Sequence, residues 1–346
     1  MKRKIGAVDG RGRGVCIVED VPELNKGQIE VKVEASLISP GSELGRCGHL
    51  RESPDQNISP KPIGYANAGT VAQIGPGVTD FKVGQRVACM GAGYALHADR
   101  VTVPQNLSVL IPEEVSFEEA AVTHLAATAL HALRRTVPLY GEYGMVVGLG
   151  LVGQLCIQFG RLTGCHMAGM DKFTMRLKKA LEGGAETIVD ADIEDLVTTT
   201  SNWSQDYGLD FGIISFGGDA NDAFEKVYQS MKKTPDGHHM GRIIVVGGAQ
   251  ISHGFGAGLG NVDIRSAART GPGYHDESYE EGNNYPRVFV EWDTKRNMAE
   301  CLRAIQSGKL LISHLYTHKF KLDDFDQAVD VLVDAPDEAL GVVVTP

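Results

Sequence analysis

The run Met145-Val-Val-Gly-Leu-Gly-Leu-Val-Gly153 constrains this chain more than any other stretch. A short apolar strand enters glycines 148, 150 and 153, spaced as G-x-G-x-x-G. Gly148 permits a tight turn. Gly150 lets backbone approach a pyrophosphate, and Gly153 lets the next helix lie close to the strand. The helix start at Leu151 and Val152 offers N–H groups and a positive dipole end to phosphates. Leu151, Leu155, Phe159 and Leu162 recur at helical spacing and are expected as one face. Cys165 to Met170 reads as a second strand, ending at Asp171. An acid about 20 residues past the glycines grips a ribose 2′-OH and repels a 2′-phosphate, so NAD is the expected cofactor. The order strand, turn, helix, strand, acid separates this run from a glycine-rich surface turn.

The flanking sequence divides in style. From Gly144, strands and helices alternate: Thr174 to Glu182, Thr187 to Val189, Leu209 to Ser215, Asn221 to about Met231, then Arg242 to Val246. Such alternation builds a parallel sheet covered on both faces. The first third is different. Ile29-Glu-Val-Lys-Val-Glu-Ala35 alternates with period two, and Gly69–Ile74, Val83–Val87 and Val101–Val103 are further short strands between Gly/Pro turns. They suggest a barrel-like β domain. Ser116-Phe-Glu-Glu119 is a capping box opening an Ala-rich helix toward Arg135. The tail after about residue 290, a helix and strands, is too short for a domain and is expected to return to the β domain.

With 346 residues, two domains are expected. A net charge of −11 argues against nucleic acid or an anionic membrane as partner. The six cysteines lie far apart without a C-x-x-C, which suits buried thiols in a reducing, cytoplasmic setting. No apolar run reaches the length of a membrane span.

Further motifs carry a resemblance that covers nearly the whole chain. Gly69-Thr-Val-Ala-Gln-Ile-Gly-Pro-Gly-Val78, Phe81-Lys-Val-Gly-Gln-Arg-Val87, Phe117-Glu-Glu-Ala-Ala121, Thr128-Ala129 and Gly308-Lys-Leu resemble the medium-chain dehydrogenases/reductases. That resemblance implies an α/β protein, with a GroES-like β-barrel-type substrate domain over 1–118 and 292–346. A Rossmann dinucleotide-binding domain would cover 119–291. It implies a cofactor between the domains, touched by Phe216, Gly217, Val246 and Gly247, with Lys172 and Arg176 beside Asp171 near the adenosine ribose. It also implies a homodimer.

The departures from that family carry as much information. Many members hold a catalytic zinc with a Cys near the start, the His of a Gly-His-Glu motif, and a later Cys. Here Pro40 replaces the first ligand, Gly64-Tyr-Ala66 replaces Gly-His-Glu, and His124 stands at the third position. One remaining ligand is short of the three that a zinc site needs, so no metal is expected. Cys47 and His49, which with His124 would be the alternative ligands, have no distinctive spacing. The lobe that carries a structural zinc in relatives is also missing.

Without zinc, the oxygen charge that hydride transfer creates must be met by hydrogen-bond donors and an acid–base group. His124 is the favoured acid–base residue, because imidazole moves protons near neutrality. Tyr65 and Ser42 are expected to orient the substrate oxygen, Glu43 follows Ser42 at the same site, and Tyr65 is the alternative acid–base group. The segment from Arg265 to Trp292, rich in Tyr and carboxylates, suits either a polyhydroxylated small-molecule ligand or a subunit contact. Ser39-Pro-Gly-Ser-Glu with Arg269-Thr-Gly-Pro-Gly resembles a zinc-lacking branch tied to sugar, cyclitol and polysaccharide metabolism. The expectation is thus an NAD-dependent, zinc-independent oxidoreductase acting on a secondary alcohol or ketone of a sugar, polyol or cyclitol. The alternatives are a quinone or enone reductase of the same fold and a non-catalytic redox sensor.

Overall fold

The alternation at Ile29 becomes a long strand, Gln28–Ile38, in a computed structural model that describes residues 1–254 and 256–346. Ile29, Val31 and Val33 are buried, as period two requires. Glu30 breaks the pattern: it is buried too, and accepts from Arg100 at 2.5 Å. The strand pairs antiparallel with Ala66–Ile74, Arg100–Pro104 and Gly341–Thr345. Ala66–Ile74 hands the sheet on to Arg86–Met90 and Ser108–Leu110, and Tyr316–Lys321 forms its far edge. The tail therefore does return to the β unit. Its last helix, Phe325–Asp334, contributes Phe325, Ala328 and Val329 to a core with Ile38, Leu44, Cys47 and Val342.

The second unit holds six parallel strands: β1 Tyr143–Val147, β2 His166–Asp171, β3 Thr187–Asp190, β4 Phe211–Ile214, β5 Met240–Val246 and β6 Asn261–Ala267. Their order in the sheet is 3-2-1-4-5-6, the doubly wound arrangement. Met145 and Val147 of β1 pack with Leu196, Phe224, Val227 and Ile243. The helix after β1, Leu151–Leu162, buries Leu151, Leu155 and Phe159. Leu162 lies on the exposed side of its last turn, so the expected apolar face ends one turn early.

The units comprise Met1–Ala127 with Thr270–Pro346, and Thr128–Arg269. Residues 119–127 and 270–291, expected with the dinucleotide-binding domain, thus belong to the first unit. The second of these segments is tied there by polar contacts. The Thr270 and Thr294 hydroxyls are 2.9 Å apart, and Asn106 Nδ2 donates to the Tyr279 carbonyl at 2.7 Å. The Ser116–Glu119 capping box forms, but the helix that it opens stops at Ala120 and resumes over Thr123–Thr136. All six cysteines are free thiols, five buried and Cys16 half-buried. Among the described residues no helix is long and apolar enough to cross a membrane.

Candidate active site

In the second unit β1 runs into Gly148, whose φ of +92° is the left-handed backbone that an L side chain resists. Ser215, at the end of β4, donates its hydroxyl to the Gly148 carbonyl at 2.6 Å, and Phe216 lies against the same glycine. Gly150 is the N-cap of Leu151–Leu162, and no side chain caps that helix. A Cβ built on Gly150 would meet nothing within 4 Å. The first-turn amides of Leu151 and Val152 stand at a helix N-terminus with no side-chain cap, a setting that fits a pyrophosphate. Gly153 differs: a Cβ there would fall inside the contact distance of the Gly148 carbonyl oxygen.

Asp171 has a task that the sequence does not announce. One carboxylate oxygen accepts the Leu149 amide at 2.7 Å and the other accepts the Phe173 amide at 3.0 Å. It therefore braces the glycine turn from the end of β2. Arg176 Nη1 lies 3.8 Å from Oδ2, and the Arg176 guanidinium and Lys172 ammonium sit over the Phe173 ring at 4.5 and 5.0 Å. Gly217 follows Phe216 at the end of β4, while Val246 closes β5 and leads into Gly247, where φ is +74°.

The other candidate residues gather in the first unit. His124 is buried, and its Nδ1–H donates to the Tyr65 carbonyl at 2.8 Å. The Tyr65 ring lies 4.4 Å from the imidazole, tilted by 52°. Burial first, then the charge of Glu43, pushes the Tyr65 hydroxyl well above the usual tyrosine range, while hydrogen bonds from Ser39 and Ser42 oppose the shift. Ser42 thus lies next to Tyr65. Glu43 turns inward: its Oε1 accepts the Ser39 amide at 3.0 Å and its Oε2 lies 2.6 Å from His97 Nε2.

Three participants escape sequence reasoning. His97 sits in no motif. Its backbone passes where a Cβ on Gly64 would stand, so the glycine before Tyr65 is needed for that close approach. Ser39 enters through its hydroxyl. Tyr274, from the unusual segment, packs edge-on against His124 at 5.9 Å and accepts the Ala92 amide at 2.7 Å. Other polar groups in that segment serve one another: Tyr285 donates to Asp276 at 2.6 Å, and the His275 amide donates to Glu280 at 2.8 Å. Tyr279 is fully buried, and Arg265 to Ala267 belong to β6.

Cys47 packs into the apolar core and His49 lies on the same short helix. Among the described residues no three His, Cys, Asp or Glu side chains are grouped as metal ligands would be.

Glu280 makes one testable contribution to stability. Burial, then the charges of Asp276 and Glu277, raise its carboxyl from 4.5 to about 7. A raised folded-state value favours folding below the unfolded value, and that advantage is lost as pH rises through about 7. Glu280→Gln should therefore raise the melting temperature at about pH 8 and change it little near pH 4. Parallel melting curves for the two proteins across that range would refute the assignment.

Comparison with known proteins bears on this geometry. The family described as alcohol dehydrogenase GroES-like domain matches residues 25–113. A sorbitol dehydrogenase of Bacillus subtilis (strain 168) is 24% identical, over 94% of this chain and 92% of that protein. An L-threonine 3-dehydrogenase of Mesorhizobium japonicum is 25% identical, with 90% of each chain covered. Among solved structures, an Escherichia coli oxidoreductase/dehydrogenase of unknown specificity involved in membrane biogenesis superposes with a TM-score of 0.81. Its identity is 18%, and the match covers 100% of this chain and 99% of that one.

Proposed function

We propose that the chain is a medium-chain dehydrogenase/reductase with a specific reaction, a reading supported by the GroES-like domain match and by the sorbitol and L-threonine 3-dehydrogenase relatives. The protein is an NAD-dependent, zinc-independent oxidoreductase that interconverts a secondary alcohol and its ketone on a sugar, polyol or cyclitol. The observation that carries this reading is the bonded pair of Tyr65 and His124. It occupies two motif positions at which zinc-dependent members hold their metal. A bound nicotinamide supplies the hydride acceptor.

The chain's own task is the proton and the charge on oxygen. With Nδ1–H committed to the Tyr65 carbonyl, a neutral His124 carries its lone pair on Nε2. That is the form that takes a proton from an alcohol, and its conjugate acid returns one to a ketone. Tyr65 suits a different role. Its hydroxyl stays protonated, so it donates to the substrate oxygen rather than exchanging a proton. Ser39 and Ser42 fix the direction of that donor. NAD is favoured over NADP because a 2′-phosphate would meet the Asp171 carboxylate, although Lys172 and Arg176 beside it soften the discrimination. The polyol assignment draws on the relative named for sorbitol.

The deciding experiment is a panel of polyols, sugars, L-threonine, enones and quinones, followed through nicotinamide absorbance with NAD or NADP. Turnover of a polyol with NAD, by protein carrying no stoichiometric zinc in elemental analysis, is expected. Activity confined to enones or quinones would replace alcohol oxidation with C=C or quinone reduction. Activity that appears only on adding one zinc per chain would end the metal-free mechanism.

A further inference from the structure

The reading of Tyr65 as a donor leaves a question that the interior of the first unit answers: what holds Ser39 and Ser42 against its hydroxyl. Both serines belong to the turn that begins at Ser39 and the single helical turn Pro40–Glu43, too short to hold itself in place. Glu43 ends that turn with a side chain that is 4% exposed, and His97, 0% exposed, meets it at 2.6 Å.

Hydrogen bonds hold His97 from both sides. Its Nδ1 lies 2.8 Å from the Ser36 oxygen, and the Ser36 hydroxyl is 3.4 Å from the Val344 carbonyl. Its Nε2 donates to the Glu43 carboxylate, whose other oxygen accepts the Ser39 amide at 3.0 Å. The Phe325 ring lies 5.5 Å from the imidazole. The backbone of this loop is anchored independently: the Gly6 amide donates to the His97 carbonyl at 2.7 Å, and the His97 amide to the Ile63 carbonyl at 3.1 Å.

We propose that His97, buried and hydrogen-bonded between Ser36 and Glu43, is the positioning residue of this site. Through Glu43 it clamps the Ser39–Glu43 turn to the β unit, and so keeps two serine hydroxyls on the Tyr65 hydroxyl. It touches neither substrate nor cofactor. The proposal deepens the assignment of Tyr65 and rests on it for its functional meaning, but its structural content can be tested without turnover.

The test uses the full chain labelled with 15N-histidine and, separately, with 3-fluorotyrosine. The His97 resonances, identified by their loss in His97→Gln, should show Nε2 protonated at neutral pH. An Nε2 without a hydrogen would overturn the clamp. The fluorine signal of Tyr65, identified by its loss in Tyr65→Phe, reports whether the serines still hold its hydroxyl. His97→Gln keeps an N–H for Glu43 and should leave that signal near its wild-type position. His97→Leu should displace it while the other tyrosine signals stay. If the leucine variant does not fold, Glu43→Leu removes the same contact from the other side and must displace the signal likewise. An unmoved Tyr65 signal in a folded variant lacking the contact would sink the proposal. A clamp present in a protein that turns over no alcohol would instead count against the proposed reaction alone.

Discussion

Gly153→Ala should weaken NAD binding at least about 100-fold, equivalent to about 2.7 kcal/mol. The added methyl would press on the Gly148 carbonyl oxygen, and the Ser215 hydroxyl lies 2.9 Å from the same point. Neither neighbour can withdraw easily, because Ser215 is itself bonded to that carbonyl. The helix must shift away from the strand, at a cost of about 1–3 kcal/mol in overpacking, and its first-turn amides move with it. The matched control is Gly150→Ala. That methyl meets no protein atom, so folding should be undisturbed while the space offered to phosphates is reduced. Calorimetric titration with NAD and melting curves separate the two: the first variant loses stability and binding, the second binding alone. Undiminished binding in Gly153→Ala would mean that the dinucleotide is held elsewhere.

His124→Ala should lower turnover by about 10²–10⁴, the usual worth of a positioned acid–base group. Tyr65→Phe should cost about 10²–10³, as for loss of one oxyanion donor. The two losses should differ in form as well as size. The Tyr65 hydroxyl is held protonated far above the neutral range, so its removal should lower the rate by a constant factor across neutral pH. His124→Ala should also flatten the neutral limb of the pH–rate profile, with dinucleotide affinity intact in both variants. Should the tyrosine variant flatten the profile and the histidine variant merely scale it, the roles exchange. Because the two rings pack together, the double variant should not show additive losses.

Much of the fold is written in local pattern. Period two at Ile29, the glycine spacing after Val147 and the alternation that follows each arise from neighbours in sequence, and each gives the element that it implies. The failures occur where long-range contacts decide. Leu162 keeps the helical period yet lies outside the core, because period alone does not say where the neighbouring layer ends. Residues 270–291 follow the dinucleotide fold in sequence but join the β unit through Thr294 and Asn106. The site divides in the same way. Tyr65 and His124 are visible because the resemblance puts them at ligand positions of zinc-dependent relatives, and Ser42 because it matches a hydroxyl that relays a proton there. His97 is not, since its value comes from Ser36 and Glu43, which lie 61 and 54 residues away in the chain. A histidine in Ala95-Leu-His-Ala98 has no local signal that distinguishes a buried clamp from an ordinary core residue.

The two amide bonds accepted by Asp171 have an evolutionary consequence. A carboxylate that braces the glycine turn cannot be exchanged freely when a lineage drifts toward a different adenosine phosphate chemistry. Losing it would release the Leu149 and Phe173 amides at once and slacken the same turn that must receive the pyrophosphate. A change of coenzyme in this scaffold should thus come by additions around the aspartate, at surface positions such as Lys172, before the acid itself is given up. The coenzyme preference is coupled to the architecture of the turn, and its history should be read in pairs of substitutions rather than single ones.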